Sequence, residues 1–331
     1  MVERVLVTID GAIQDPDAPF LYADDIGALR GDGIFETVLV RDGVPGALEL
    51  HLARLRRSAE ALDLPAPDLE AWRFAVELAA EEWGREREGT LRMVLTRGRE
   101  SDHGDNGKPS ANKSRDLAGA EPATTGYVLV VGVPERVKKA RAEGVSVITL
   151  SRGISVDLAQ NAPWLLLGAK TLSYATNMSA LRFAQRMGAD DVIFTSTEHR
   201  VLEGPRSTVV VQRDDKLITP PARNGVLPGT TQRALYTQAE KAGWECRYEP
   251  LWVADLITAD AVWLLSSVTL AARVNSLDGL RMSAPENAGE IIEMVNRALP
   301  CPGVWRTGDQ DSRAFCLIRS PIRHVVQGPW R

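Results

Sequence analysis

Apolar residues in the first 135 positions follow two alternating spacings, which predict strands and helices in turn. Residues 34–40 form a strand-like run, and Asp42-Gly43 directly after them predicts a tight hairpin turn. Apolar residues then recur at spacings of three and four, at Leu48, Leu52, Leu55, Ala59 and Leu62. This periodicity predicts an amphipathic helix. Asp68 is placed to cap a second helix that extends to Trp83.

The remainder of this first part predicts three more strands and one long loop. The chain begins with a strand and turn at residues 1–11, and further strands are predicted at residues 91–96 and 127–133. Residues 98–125 separate the last two strands and are rich in Ser, Asp, Asn, Gly and Lys. Because such a segment cannot form a core, we expect an exposed loop.

The second half of the chain has more strand signals than helix signals. Strands are expected at residues 145–150, 191–195, 208–212, 244–250 and 261–265, and helices at residues 174–187, 230–242 and 286–298. Many strands with a few segregated helices favour an α+β fold over a doubly wound parallel sheet. No GxGxxG motif follows a strand, and no phosphate-binding loop of the GxxxxGKS or GxxxxGKT type occurs.

The length of 331 residues exceeds the usual size of one hydrophobic core, so two domains are expected. The order of elements places a small α+β domain at residues 1–135 and a larger domain at residues 142–300, linked near residues 134–141. Residues 301–331 are expected to form a C-terminal extension, in which no motif is evident.

Composition excludes several classes of function. Hydrophobic residues at 44% and charged residues at 25% fit a soluble globular protein. A net charge of −5 and a pI near 5.6 favour neither nucleic acid nor an anionic membrane as a partner. The three scattered cysteines form no CxxC pair, so no disulfide framework and no metal site is indicated. The first residues lack signal-peptide features, and no apolar run reaches the roughly 18 residues of a membrane span. We therefore expect a cytoplasmic protein.

One lysine and one glutamate carry candidate chemistry. Lys170 stands between an apolar run at residues 164–167 and a predicted helix, where it is expected to be sheltered. Burial lowers the pKa of an ammonium group and makes the amine nucleophilic, and such amines form Schiff bases with carbonyls. Glu203 lies between two strand-like runs. The pair suits pyridoxal phosphate, which needs an amine for its aldehyde and an acid partner for its ring nitrogen.

Several motifs accompany these two residues in a fixed order. They are Arg30-Gly31-Asp32-Gly33-Ile34-Phe35-Glu36-Thr37, His51-Leu52-Ala53-Arg54-Leu55, Lys170, Leu202-Glu203-Gly204 and Pro228-Gly229-Thr230-Thr231. Over roughly residues 1–280, this order resembles the class IV, fold-type IV pyridoxal-phosphate enzymes. The resemblance implies a smaller N-terminal α/β domain and a larger C-terminal domain with a mixed, barrel-like sheet. It also implies pyridoxal 5'-phosphate as cofactor, a small-molecule substrate, and a homodimer, because family active sites lie near a subunit interface.

The resemblance assigns roles to the central residues. Lys170 would form the Schiff base and shuttle protons, and Glu203 would face the pyridine nitrogen. Arg54 would bind the cofactor phosphate, and it lies off the apolar face of its helix, so that it need not enter the core. The simpler alternatives are an exposed lysine, a turn glutamate and a solvated arginine. The occurrence of all three in one ordered set favours the cofactor roles.

Further cofactor contacts are expected at a helix start and after a strand. Gly229, Thr230 and Thr231 open a predicted helix, whose free N–H groups and positive end bind phosphate well. The alternative is a plain helix cap, which uses the same residue types. Ser267 resembles the family's second phosphate contact, although neighbouring hydroxyls leave the choice open. Tyr174 would reach the cofactor's phenolic oxygen, at an offset from the lysine that differs by one from branched-chain enzymes.

The substrate-side candidates are Arg30, Phe35, Arg97 and Arg206. Arg97 matches the arginine that binds the substrate carboxylate in D-amino-acid enzymes, and Arg206 follows Glu203 closely enough to approach a carboxylate. The alternatives are surface ion pairs for the arginines and core packing for Phe35. The four histidines show neither metal-ligand nor catalytic-triad spacing.

The family contains branched-chain aminotransferases, D-amino-acid aminotransferases and 4-amino-4-deoxychorismate lyases. The first motif and the segments around the lysine and glutamate look most like actinobacterial proteins assigned to the lyase branch. We therefore expect conversion of 4-amino-4-deoxychorismate to 4-aminobenzoate, a folate precursor, and pyruvate. The alternative is an aminotransferase acting on D-amino acids or branched-chain amino acids. A non-enzymatic binding protein of the same fold is a third hypothesis, because fold does not fix function.

Overall fold

The structure, a computed structural model, describes residues 3–103 and 124–298, which lie within one compact unit, Met1–Cys301. The strands of the first sheet are β1 (Arg4–Thr8), β2 (Ile13–Gln14), β3 (Gly33–Arg41), β4 (Val44–Pro45), β5 (Gly89–Thr96) and β6 (Thr125–Gly132). They lie in the order β2-β1-β6-β5-β3-β4, and all neighbours are antiparallel. β3 pairs along its length with β5, from Gly33 to Val40, and this pairing holds the motif that contains Phe35 in the sheet.

Helices pack on the first sheet through their apolar faces. The helices are α1 (Ile26–Arg30), α2 (Leu48–Ala61) and α3 (Leu69–Trp83). Leu55 and Trp72 join strand residues such as Val38 in one buried cluster. The helix α3 is capped by Asp68, whose carboxylate accepts hydrogen bonds from the backbone N–H groups of Glu70 and Ala71 at 3.0 and 3.2 Å.

The second sheet is mixed. Its strands are β7 (Val145–Ser151), β8 (Asp191–Thr195), β9 (Thr208–Arg213), β10 (Lys216–Thr219), β11 (Glu245–Tyr248), β12 (Ala261–Ser266), β13 (Leu270–Leu277) and β14 (Leu280–Arg281). The order is β11-β10-β9-β12-β13-β7-β8, and β14 pairs with β13. The pairs β10/β11, β13/β7 and β7/β8 are parallel, and the others are antiparallel.

The remaining helices pack around this second sheet. They are α4 (Glu135–Glu143), α5 (Leu158–Asn161), α6 (Ala175–Arg186), α7 (Thr230–Lys241), α8 (Val253–Ile257) and α9 (Ala288–Ala298). Leu235 of α7 and Ile291 of α9 share a buried cluster with Trp263 of β12. The start of α7 is thereby fixed against the middle of the sheet. Within residues 3–103 and 124–298, no helix has the length and hydrophobicity to cross a bilayer.

Most of the expected elements are confirmed, including the α+β fold, the cap at Asp68 and the hairpin. Asp42 and Gly43 both have positive φ, 53° and 75°, as a tight β-hairpin turn requires. The pattern missed β10 and β13 and the two-residue strands β2, β4 and β14, because these segments are short or lack a regular alternation of apolar and polar residues. The expected link near residues 134–141 is the helix α4. The domain boundaries stay a prediction, and most of the 98–125 loop and all of the 301–331 extension lie outside the described residues.

Candidate active site

A cavity of about 1070 Å³ is bordered by both sheets, and most of the predicted site residues line it. Those residues are Phe35, Arg54, Lys170, Tyr174, Glu203, Arg206, Gly229, Thr230, Thr231 and Ser267. Arg30 and Arg97 do not border it. The fold thus gathers into one space residues that come from widely separated parts of the chain.

Lys170 is held at the cavity through its backbone. Its carbonyl accepts a hydrogen bond from the N–H of Phe35 at 3.1 Å, and its own N–H donates to Oγ of Ser58 at 3.1 Å. The Nζ atom lies 4.4 Å from the centroid of the Phe35 ring. Burial, together with the nearby charge of Arg54, lowers the pKa of Lys170 to about 8. About half of the amine is therefore neutral, and nucleophilic, near pH 8.

Glu203 has a fixed orientation because both carboxylate oxygens are bonded. One accepts from Nη1 of Arg152 at 3.0 Å, and the other accepts from the N–H of Leu227 at 3.0 Å. Burial raises the pKa of Glu203, and the charge of Arg152 opposes that rise. Sequence reasoning missed Arg152, which lies on a loop after β7 and carries no recognisable motif.

The start of α7 borders one end of the cavity, and its groups are of the kind that bind anions. Gly229 precedes the helix and provides no side-chain cap, so the first N–H groups of the helix are left for another acceptor. A Cβ atom at Gly229 would collide with the hydroxyl of Thr208. Thr230 and Thr231 are buried, and Oγ1 of Thr230 lies 3.2 Å from Oγ of Ser267. This arrangement favours a ligand-binding role over a plain cap.

Arg54 lies in the protein interior, which corrects the expectation that it need not enter the core. It is only 5% exposed. Its Nε and Nη2 atoms each donate to the carboxylate of Glu36 at 2.7 Å, so the buried charge has a partner. Nη1 donates to the carbonyl of Pro228 at 3.0 Å. These bonds use three of the five N–H donors of a guanidinium, which leaves two for a ligand at the cavity. The interpretation as a solvated arginine is therefore wrong.

Glu36 and His51 complete the buried surroundings of Arg54, and sequence reasoning assigned neither of them a role. Nδ1 of His51 lies 2.7 Å from Glu36, and Nε2 lies 3.2 Å from Oγ of Ser267. Both residues stood in the quoted motifs, and a glutamate inside an apolar strand was a signal, because a buried carboxylate requires a partner. Burial lowers the pKa of His51, while Glu36 opposes that effect.

Two aromatic rings border the space beside the lysine. The rings of Phe35 and Tyr174 meet edge to face, with centroids 5.4 Å apart. The hydroxyl of Tyr174 donates to the carbonyl of Pro205, as does the amide of Asn177 at 2.8 Å. Burial raises the pKa of the Tyr174 phenol, so the hydroxyl remains protonated and able to donate. Contact of Tyr174 with a cofactor oxygen stays a prediction.

The arginines expected on the substrate side occupy different environments. Arg206 borders the cavity and lies 3.5 Å from the carboxylate of Asp191. Arg30 is exposed and pairs with Glu100. Arg97 pairs with Asp32 at 2.8 Å and also donates to two backbone carbonyls. Within this chain the structure brings only Arg206 of the three to the cavity, and substrate contact by Arg30 and Arg97 stays a prediction.

The donor set fits a phosphorylated aromatic aldehyde. It combines one amine of lowered pKa, one fixed carboxylate and, separately, a helix start with two hydroxyls and an arginine that retains free donors. Aldehyde, ring nitrogen and phosphate would each find a matching group. Among the described residues, no group of three His, Cys, Asp or Glu side chains could hold a metal ion.

Comparisons with known proteins indicate the family of this chain. The sequence profile of the family described as amino-transferase class IV matches residues 33–277. A relative from Mycobacterium tuberculosis, named a bifunctional aminodeoxychorismate lyase and D-amino acid transaminase, is 48% identical over 304 residues. The match covers 89% of this chain and 99% of the relative.

Solved structures of similar proteins share the fold. A hypothetical aminotransferase from M. tuberculosis, in its form bound to α-ketoglutarate and PMP, matches with a TM-score of 0.82 and 49% identity, over 89% of this chain and 98% of that one. A fold IV transaminase from Curtobacterium pusillum matches with a TM-score of 0.78 and 38% identity, over 90% and 97% of the two chains. The expected fold type, with its two curved sheets, is confirmed.

Proposed function

The chain belongs to the class IV aminotransferase family, and from that premise we propose that it is a lyase that converts 4-amino-4-deoxychorismate to 4-aminobenzoate and pyruvate. The observation that carries the proposal is the amine of Lys170, which has a pKa of about 8 and lies in a cavity with Glu203 and the start of α7. The M. tuberculosis relative, named for lyase and D-amino acid transaminase activities, supports both reactions. D-amino acid transamination is therefore the second candidate function.

Pyridoxal phosphate is the cofactor, and when bound it supplies an electron sink for negative charge on the substrate carbon. Lys170 would hold the aldehyde carbon, and Glu203 would hold the ring nitrogen protonated. Arg54, Thr230, Thr231 and Ser267 would hold the phosphate, with the N–H groups that follow Gly229.

Lys170 would also move the substrate proton. Once its amine is free, it can accept the proton from the carbon that bears the nitrogen, because a base with a pKa near the working pH transfers protons efficiently. Arg152 orients the carboxylate of Glu203 and opposes the rise in its pKa that burial causes. Phe35 and Tyr174 would exclude water from one side of the amine.

The cavity favours an acidic substrate. Arg206, Arg136 and Arg92 border it, and Asp191 is the acid paired with Arg206. A surplus of positive charge suits the two carboxylates of aminodeoxychorismate, and it also suits an amino acid or a keto acid such as the α-ketoglutarate of the M. tuberculosis structure. Arg30 and Arg97 remain candidates for the same task.

One assay separates the two reactions. Purified enzyme receives aminodeoxychorismate without any keto acid, and pyruvate and 4-aminobenzoate are measured. The lyase forms both products in equal amounts. No pyruvate, together with amino-group exchange between D-alanine and α-ketoglutarate, would make transamination the main function. Lys170→Ala is the negative control, and Lys138→Ala, on the exposed side of α4, is the matched control.

A second measurement tests the non-enzymatic alternative. Protein carrying the cofactor on Lys170 absorbs at the edge of the visible range, and borohydride shifts that band. A protein that stays colourless with added pyridoxal phosphate would be a binding protein of the same fold.

We further propose that the enzyme is a homodimer that acts in the cytoplasm. Trp164 supports the dimer, because this large apolar side chain borders the cavity and is 74% exposed in the single chain. Light scattering combined with size-exclusion chromatography tests the oligomeric state; a monomeric active enzyme would contradict it.

A further inference from the structure

A chain of hydrogen bonds connects a buried carboxylate to the anion-binding end of the cavity. It runs from Glu36 through His51 and Ser267 to Thr230, with separations of 2.7, 3.2 and 3.2 Å. His51 is only 1% exposed, so its proton content is set by fixed neighbours rather than by bulk water. Each of these three hydrogen bonds contains one proton, which lies on one or the other of the two bonded atoms.

The hydrogen bond between Glu36 and His51 fixes the protonation state of one ring nitrogen of His51. Arg54 holds Glu36 as a carboxylate through two hydrogen bonds, and an ionised carboxylate only accepts. Nδ1 of His51 must therefore carry a hydrogen and donate it to Glu36. Only Nε2, which faces Ser267, can change its protonation state.

The two states of Nε2 have different consequences for Ser267. When His51 is neutral, Nε2 accepts the hydroxyl proton of Ser267, and the serine has no proton to offer a ligand. When His51 is cationic, Nε2 donates to Oγ of Ser267, and the serine proton is free to point into the cavity. In the ligand-free chain, burial lowers the pKa of His51, which favours the neutral state.

The charged groups around His51 come from three elements. Glu36 of β3 favours the cation, whereas Arg54 of α2 and Lys170, before α6, disfavour it. The start of α7 contributes the hydroxyl of Thr230. Among the described residues these groups leave the cationic state disfavoured until negative charge arrives in the cavity. A dianionic phosphate group beside Ser267 supplies that charge.

We infer that His51 takes up one proton from solvent when a phosphate dianion binds beside Ser267 and Thr230. The proton binds at Nε2, and the hydroxyl proton of Ser267 turns from His51 to a phosphate oxygen. The one covalent change is the N–H bond that forms at Nε2 with a proton from solvent; all other changes are in hydrogen bonds. His51 is thus a positioning residue that acts on the phosphate through Ser267. The inference rests on the proposed cofactor and not on which reaction the enzyme catalyses.

The protonation state of the His51 ring can be measured directly by nitrogen NMR of protein labelled with ¹⁵N-histidine. Spectra are compared at pH 8 for the holoenzyme, for cofactor-free protein and for protein with pyridoxal, which lacks the phosphate. His51 is identified by replacing the other three histidines with glutamine. We expect both ring nitrogens of His51 to carry hydrogen only with pyridoxal phosphate. An unchanged ring in all three samples would overturn the inference.

Calorimetry in buffers of different ionisation enthalpy gives an independent count of protons. Binding of pyridoxal phosphate to the wild type should take up about one more proton than binding to Ser267→Ala, whereas pyridoxal should show no difference. Equal proton uptake by both proteins would contradict the inference. The comparison needs no substitution of His51 itself, so it does not depend on whether such a variant folds. If no absorbance band develops with pyridoxal phosphate, the proposed function is contradicted as well. If the band develops but His51 stays neutral, only this inference is contradicted.

Discussion

Glu36 and Arg54 are joined by two hydrogen bonds of 2.7 Å, at a place on β3 and α2 that solvent does not reach. Burial alone would raise the pKa of Glu36, but the charge and hydrogen bonds of Arg54 outweigh it and hold that pKa well below its ordinary value of 4.5. The carboxylate sets the direction of the guanidinium, which borders the cavity and retains two N–H donors for the proposed phosphate. The pair therefore connects the core to the cavity.

Replacing Glu36 by glutamine should destabilise the protein strongly. The substitution leaves the charge of Arg54 buried without compensation, which costs about 3–5 kcal/mol in free energy of unfolding. Urea unfolding measures the loss. Glu135→Gln is the matched control, because its exposed pair with Lys138 contributes no more than about 1 kcal/mol. A loss at Glu36 no larger than in the control would show that Arg54 does not depend on this partner.

The same pair predicts a dependence of stability on pH. Because the folded pKa of Glu36 is lowered, the unfolded chain binds the proton more readily, and the contribution is complete only above about pH 4.5. Below that pH the free energy of unfolding should fall with acid, and it should fall less steeply in Glu36→Gln. Denaturant unfolding at several pH values between neutral and acid checks this slope. Parallel slopes for both proteins would argue against the assignment.

Replacing Lys170 by alanine should abolish turnover while the fold is kept. The amine is the proposed proton carrier, and loss of such a group alone lowers rates by about 10²–10⁴-fold. Steady-state kinetics and circular dichroism measure activity and fold separately. The Lys138→Ala variant should behave as the wild type in both. Near-normal activity without Lys170 would disprove the mechanism.

The amine of Lys170 should react with acylating reagents at lower pH than other lysines. Its lowered pKa means that the neutral, reactive form predominates above about pH 8, so labelling should rise with pH and level off beyond that value. Mass spectrometry of peptides from cofactor-free protein follows labelling at Lys170 and at the exposed Lys138. A midpoint for Lys170 near the ordinary value of 10.5 would show that the site does not shift it.

Removing Arg152 should lower the rate, because Glu203, the proposed acid partner of the cofactor ring, loses a hydrogen bond. Loss of a hydrogen bond between charged groups costs about 1.5–3 kcal/mol, which corresponds to roughly a 10- to 100-fold lower rate. Because Arg152 opposes the rise in the pKa of Glu203, the acid limb of the pH–rate profile should move to higher pH in Arg152→Met. Arg213→Met, whose partner Asp255 lies away from the cavity, is the control. An acid limb at the same pH as in the wild type would show that Arg152 does not control the pKa of Glu203.

The sequence alone predicted most of the elements in their order and pointed to the central residues. Caps, hairpin turns and apolar spacing are local features, so Asp68, Asp42-Gly43 and the helix that starts at Thr230 could be read from neighbouring residues. The ordered motifs also identified the family, its fold type and its cofactor before any contact was known.

Only the tertiary structure decided how these residues are paired. The burial of Arg54 against Glu36, the bond of Arg152 to Glu203 and the contact of His51 with Ser267 join residues 18, 51 and 216 positions apart. Such pairings depend on which strands lie side by side, and no local spacing records that. For the same reason the sequence could not show that Arg206 reaches the cavity of this chain while Arg30 and Arg97 bind carboxylates elsewhere.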